Sequence, residues 1–101
     1  MVEVVFTAQA IDDINNIATF ISKDSEKYAS IQVERFFEYA QLIENNPLIG
    51  RVVPELNNKE VREIISGNYR IIYLLVNKSR ADILTIHHSY RMLTNSPVFK
   101  K

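Results

Sequence analysis

The segment from Val61 to Arg91 constrains the fold most, because three apolar runs follow one another there with only short polar breaks between them. These runs are Val61–Ser66, Tyr69–Val76 and Asp82–His88. They are rich in β-branched and aromatic residues, which favour strands. Gly67-Asn68 and Asn77–Arg80 form the breaks, and Gly and Asn tolerate the backbone angles of tight turns. The segment therefore predicts two consecutive hairpins in an antiparallel meander.

The middle run, YRIIYLLV, predicts the central strand of the sheet, because its alternating positions are mostly apolar on both faces. Arg70 is the exception within it, since a guanidinium on a central strand must be solvated or paired. Other basic side chains lie in the same segment. They are Arg62, His87, His88 and Arg91. We therefore expect the guanidinium of Arg70 to open onto a basic hollow that solvent can reach.

Two amphipathic helices precede this segment. Isoleucines recur at helical spacing in Ala8–Ser22, and Thr7 is a suitable N-cap. A second helix is expected to begin after Asp24 or Ser25 and to end near Glu44, because a proline follows shortly and disfavours helix before it. A tight polar turn between two such helices predicts a helical hairpin that buries its apolar stripes on the sheet.

The remaining segments complete an α+β prediction, with an N-terminal strand and a helical hairpin packed on an antiparallel sheet. Val2–Phe6 alternates as a short strand that lies at an edge or pairs with the meander. The connector Pro47–Lys59 is long and irregular, with Arg51 and Glu55 as its candidate polar residues. The 101 residues are expected to form one domain, with residues 92–101 as a C-terminal tail.

The composition limits the kinds of functional site that the chain can form. The chain has no cysteine, which excludes disulfides and thiolate sites, and neither a cofactor nor a metal site is expected. No signal peptide or membrane span is predicted, so the expected location is the cytoplasm. The net charge is zero, but residues 1–50 contain three Lys or Arg against eight Asp or Glu, whereas residues 51–101 contain nine against four. Either the C-terminal half presents a basic face to a partner, or the charges are merely solvated.

The order of elements and short motifs resembles the RelE/ParE superfamily, the toxins of bacterial type II toxin–antitoxin modules. The matching residues are Gly50-Arg51, Pro54-Glu55, Arg62-Glu63, Gly67, Tyr69–Tyr73, His88 and Arg91. The resemblance extends from Val2 to about Arg91. It implies a growth-inhibiting toxin that a cognate antitoxin holds inactive, and it leaves a monomer and a homodimer both open.

The resemblance also implies two alternative targets. RelE-like members cleave mRNA in the ribosomal A site, whereas ParE-like members poison DNA gyrase. We favour the ParE-like alternative, because the strand before the first hairpin has no lysine and Pro97 stands where one ribonuclease pattern has a tyrosine. The neutral net charge also fits poorly with RNA binding, in which phosphate contacts dominate. A third hypothesis is a non-toxic binding module with the same fold.

Candidate site residues follow from what a metal-free ribonuclease would need. Arg70 would stabilise transition-state charge, while Arg62 and Arg91 would hold phosphates. Proton transfer would fall to Glu55, His87, His88 or Tyr90. The candidate target-binding residues are Arg51, Arg62, Arg70 and Arg91. The structural alternative is that Arg70 pairs with Glu55 or Glu63 and pins the connector to the sheet.

Overall fold

The computed structural model describes residues 1–88, in which a helical hairpin packs on one face of a five-stranded sheet. The elements in chain order are β1 (Glu3–Phe6), α1 (Ala8–Ser22), α2 (Glu26–Asn45), β2 (Arg51–Val52), β3 (Val61–Ser66), β4 (Tyr69–Asn77) and β5 (Arg80–His88). The predicted α+β class is confirmed. No helix in residues 1–88 is long and apolar enough to cross a membrane.

Local signals in the sequence set the ends of both helices, as predicted. The Thr7 hydroxyl caps α1 by accepting a hydrogen bond from the backbone N–H of Ala10 at 3.2 Å. The Ser25 hydroxyl caps α2 in the same way, accepting from the N–H of Tyr28 at 3.1 Å. The helix α2 ends at Asn45, two residues before Pro47.

The strand order is β1-β5-β4-β3-β2, so β4 is central, as its apolar sequence predicted. The meander of β3, β4 and β5 is antiparallel, and the turn between β3 and β4 places Gly67 at a φ of 58°. The strand β1 lies at an edge and runs parallel to β5, with Val5 opposite Asp82. The whole sheet is therefore mixed, with an antiparallel centre and one parallel edge.

The two faces of the sheet bury two separate clusters. The helix side holds the main core, in which Ile71 and Tyr73 of β4 pack with Phe36 and Ile43 of α2. The opposite face holds a smaller cluster, whose members are Val53, Leu56, Val61, Ile72 and Leu74. Because Val53 and Leu56 belong to the connector, this loop covers part of the face that the helices leave open. We call this face the connector side.

Candidate functional site

Arg70 lies on the connector side of the sheet, because side chains alternate along β4 and Ile71 faces the helices. Its side chain is only 9% exposed. Nε donates a hydrogen bond to Oε1 of Glu63 at 2.6 Å, and Nη2 lies 2.5 Å from the same oxygen. The expectation that Arg70 opens onto a basic hollow is therefore wrong. A buried carboxylate on the neighbouring strand neutralises the guanidinium instead.

The connector brings a second carboxylate to the same guanidinium. Nη1 and Nη2 of Arg70 donate to Oε2 and Oε1 of Glu55 at 2.6 and 2.9 Å, which is the bidentate arrangement that strengthens Arg–carboxylate pairs. Nε of Arg51 donates to Oε2 of Glu63 at 2.6 Å. Arg51, Glu63, Arg70 and Glu55 therefore form one chain of ion pairs with no net charge. We call it the Arg70 network.

The Arg70 network holds Glu55 in its ionised form. Hydrogen bonds from Arg70 lower the pKa of Glu55 below its usual value of 4.5, although partial burial acts in the opposite direction. The same contact with Glu55, helped by Glu63, raises the pKa of Arg70 further above its usual value. Glu55 is therefore a weak base near neutral pH, because an efficient general base has a pKa close to the working pH.

The two histidines at the end of β5 lie on opposite faces of the sheet, as their adjacent positions predicted. His87 is buried and stands directly across from Arg70 in the pairing of β4 with β5. His88 stands across from Tyr69 on the helix side, where the two rings meet edge to face with centroids 5.7 Å apart. The sheet therefore separates His88 from the Arg70 guanidinium.

Arg62 faces the helix side, because it pairs across the strands with Tyr73. Its Nη1 donates to the carbonyl of Gly50 at 2.8 Å, while its buried Nε has no hydrogen-bond partner within residues 1–88. The Tyr73 hydroxyl donates to the carbonyl of Pro47 at 2.7 Å and accepts from the N–H of Gly50 at 2.9 Å. Burial of this phenol raises the pKa of Tyr73. Arg62 and Tyr73 together fix the start of the connector.

A glycine is required at position 50, because an added Cβ would lie 2.7 Å from both the Glu63 carbonyl and the Tyr73 hydroxyl. This close approach lets the connector lie beside β3, where Arg51 and Val52 form β2, before it brings Glu55 to Arg70.

The structure thus brings three of the candidate site residues together and separates two others from them. Arg51 and Arg70 both bind Glu63, and Arg70 also binds Glu55, whereas Arg62 and His88 lie on the other face. His87 stands across from Arg70 on the connector side. Tyr90 and Arg91, with the tail 92–101, lie outside the described residues.

Glu63 joins the network, and the sequence had singled it out only as an ion-pair partner. It alternates with Val61 and Ile65 on an otherwise apolar strand face, which is the signal of a buried, paired charge. That alternation could have identified it as the centre of the network.

Comparisons with known proteins agree with the fold. A family model described as the ParE toxin of a type II toxin–antitoxin system, parDE, matches residues 4–93. A solved structure titled "Chromosomal ParDE TA system from P. aeruginosa" superposes with a TM-score of 0.70 at 18% identity, covering 87% of this chain and 96% of that one. No curated protein matches the sequence. Since the family model spans most of the chain, this protein belongs to the family of ParE toxins of type II toxin–antitoxin systems.

Proposed function

We propose that this ParE-family toxin poisons DNA gyrase in the cytoplasm rather than cleaving ribosome-bound mRNA. Membership of a parDE toxin–antitoxin family brings with it an antitoxin partner. The observation that supports gyrase over mRNA is the engagement of Arg70 by two carboxylates, Glu55 and Glu63. A ribonuclease would need that guanidinium for the developing charge on a phosphate.

The charges around Arg70 also disfavour RNA cleavage. Two carboxylates within 2.9 Å of the guanidinium repel a phosphate dianion-like transition state as long as both stay bound to Arg70. The ionised Glu55 is a weak general base at neutral pH. His88 lies on the other face of the sheet, so it cannot serve as the acid in the same step.

Within the described residues, Arg51 is the cation of the network that a macromolecule can reach, since its side chain is 65% exposed and that of Arg70 is 9% exposed. Its carboxylate partner, Glu63, is fully buried. A cation held at one end by a buried partner is orientated before it meets its target, which reduces the entropy lost on binding. We therefore assign Arg51 to target contact.

The proposal is tested by adding the purified toxin to gyrase, ATP and supercoiled plasmid, and by scoring linear DNA after protease treatment. We expect toxin-dependent double-strand breaks that require gyrase. The R51A variant should give fewer breaks, while R80A should match the parent, because Arg80 pairs with Asp82 at the start of β5.

The ribonuclease alternative has its own readout, primer extension on ribosome-bound mRNA in the same extract. A-site cuts that disappear in the R70A variant, together with intact plasmid in the gyrase assay, would overturn the proposal. Expression of the toxin alone is expected to arrest growth, and co-expression of the antitoxin is expected to restore it.

A further inference from the structure

The two carboxylates that hold Arg70 differ in how firmly the fold retains them. The side chain of Glu63 is fully buried on β3, and it is shared between Arg70 and Arg51. The side chain of Glu55 is 45% exposed on the connector, where its hydrogen bonds run to Arg70. Glu63 is therefore fixed within the sheet, whereas Glu55 is the carboxylate that another carboxylate could replace on Arg70.

The part of the connector that carries Glu55 has few buried side chains to hold it against the sheet. Between Val53 and Val61, whose backbones are paired, Leu56 is the half-buried side chain and the other residues are exposed. Asn57 has a φ of 49°, a left-handed conformation that Asn tolerates better than most residues with a Cβ. Movement of this turn away from the sheet would break the Glu55 pair and the Leu56 contact.

Withdrawal of Glu55 would leave a site of defined chemistry. Arg51, Glu63 and Arg70 would carry a net charge of +1, and the Nη1 and Nη2 atoms of Arg70 would present a planar fork to solvent. Ile65, which stands directly across from Arg70 and is 46% exposed, would form an apolar rim. The short strand β2 pairs only with Arg62 and Glu63, so within residues 1–88 no strand covers the outer edge of β3 beyond that point.

We propose that Glu55 is an intramolecular stand-in for a carboxylate of the antitoxin, and that the antitoxin carboxylate takes its place on Arg70 in the complex. The existing bidentate pair has the geometry that an Asp or Glu of the partner needs. An extended segment that pairs with the edge of β3 would deliver this carboxylate while an apolar neighbour covers Ile65. The uncovered edge of β3 also favours a protein segment, because a polypeptide backbone can pair with a strand edge and a nucleic-acid phosphate backbone cannot.

This inference rests on the antitoxin part of the proposed function and does not depend on the target. The test is the dissociation constant of the purified toxin with its full-length cognate antitoxin, from association and dissociation kinetics. We expect the E55Q variant to bind about three- to tenfold more tightly, because the competing charge is gone. The control E60Q changes an exposed glutamate that directly follows the connector, and it should bind like the parent. Equal or weaker binding by E55Q than by E60Q would overturn the proposal.

A second pair of variants tests whether the tighter antitoxin binding of E55Q depends on Arg70. R70M should weaken antitoxin binding about tenfold or more, and E55Q/R70M should show no gain over R70M. Unfolding curves establish that each variant is folded, and if R70M does not fold, the comparison of E55Q with E60Q decides. Binding of a single-stranded RNA oligonucleotide by E55Q with unchanged antitoxin affinity would also overturn the proposal. If the gyrase assay shows no DNA breaks, the proposed target would be wrong, but the antitoxin affinities would still test the role of Glu55.

Discussion

Tyr73 ties the central strand to the start of the connector with one buried hydroxyl group. The hydroxyl donates to Pro47 and accepts from Gly50, so Tyr73→Phe leaves a carbonyl and an N–H without their partner. We expect a loss of about 1–3 kcal/mol in the free energy of unfolding, measured in urea. Tyr69→Phe is the control and should cost less than about 0.5 kcal/mol, because that ring lies at the rim of the core. Equal losses would contradict the assignment.

The ion pair between Glu55 and Arg70 predicts a dependence of stability on pH. Because the pKa of Glu55 is lower in the folded protein than its usual 4.5, the unfolded chain takes up a proton first as the pH falls. The stabilisation is therefore complete above about pH 4.5 and is lost as the pH falls through the folded pKa.

Urea unfolding between pH 3 and 7 measures this effect. The E55Q variant should lose less stability than the parent across the acid range, while E60Q should follow the parent. An E55Q curve parallel to that of the parent would show that the pair contributes no pH-dependent stability.

At the level of elements, Asp13 of α1 forms hydrogen bonds that hold this helix against β5. One carboxylate oxygen accepts hydrogen bonds from the Thr85 hydroxyl and from the N–H of Ile86, and the other accepts from Gln9. Asp13→Ala should cost about 1–3 kcal/mol, because it leaves a half-buried strand N–H unpaired. The neighbouring Asp12→Ala is the matched control and should change stability by less than about 0.5 kcal/mol, since Asp12 is exposed. Thermal unfolding of both variants checks the difference.

Features of the helices and strands that depend on neighbouring residues could be predicted from the sequence. The bounds of α1 and the N-cap of α2 followed from isoleucine spacing and from Thr7 and Ser25, which act within one helical turn. The parallel pairing of β1 with β5 did not follow, because it joins residues more than 70 positions apart and leaves no local signal. The pairing of Arg70 with Glu55 and Glu63 was one of two alternatives that the sequence left open, because it depends on where the connector places Glu55.

The whole molecule has one large hydrophobic core and one small one. A mutation in the large core should destabilise the whole protein, whereas one in the small core should act locally. Phe36 is buried between the helices and the sheet, in a cluster that includes residues of α1, α2, β4 and β5. Phe36→Ala should therefore cost about 3–5 kcal/mol, and helix and sheet should still unfold together. Circular dichroism and tyrosine fluorescence, followed in the same urea titration, should give coincident transitions. Separate transitions would show that the helical hairpin and the sheet are independent units.

For the smaller cluster on the connector side we expect a mutation to have a local effect instead of a global one. Leu56 is a partly buried side chain packed against this cluster, so Leu56→Ala should loosen the connector while the main core stays intact. Amide hydrogen exchange should rise at Leu56 and Val61, whose N–H groups bond within the connector, and should change little in β4. Global stability should fall by less than in Phe36→Ala, because the leucine is half-exposed. Exchange that rises equally in β4 would mean that the connector opens only when the whole protein unfolds, and the withdrawal of Glu55 from Arg70 would then require global unfolding.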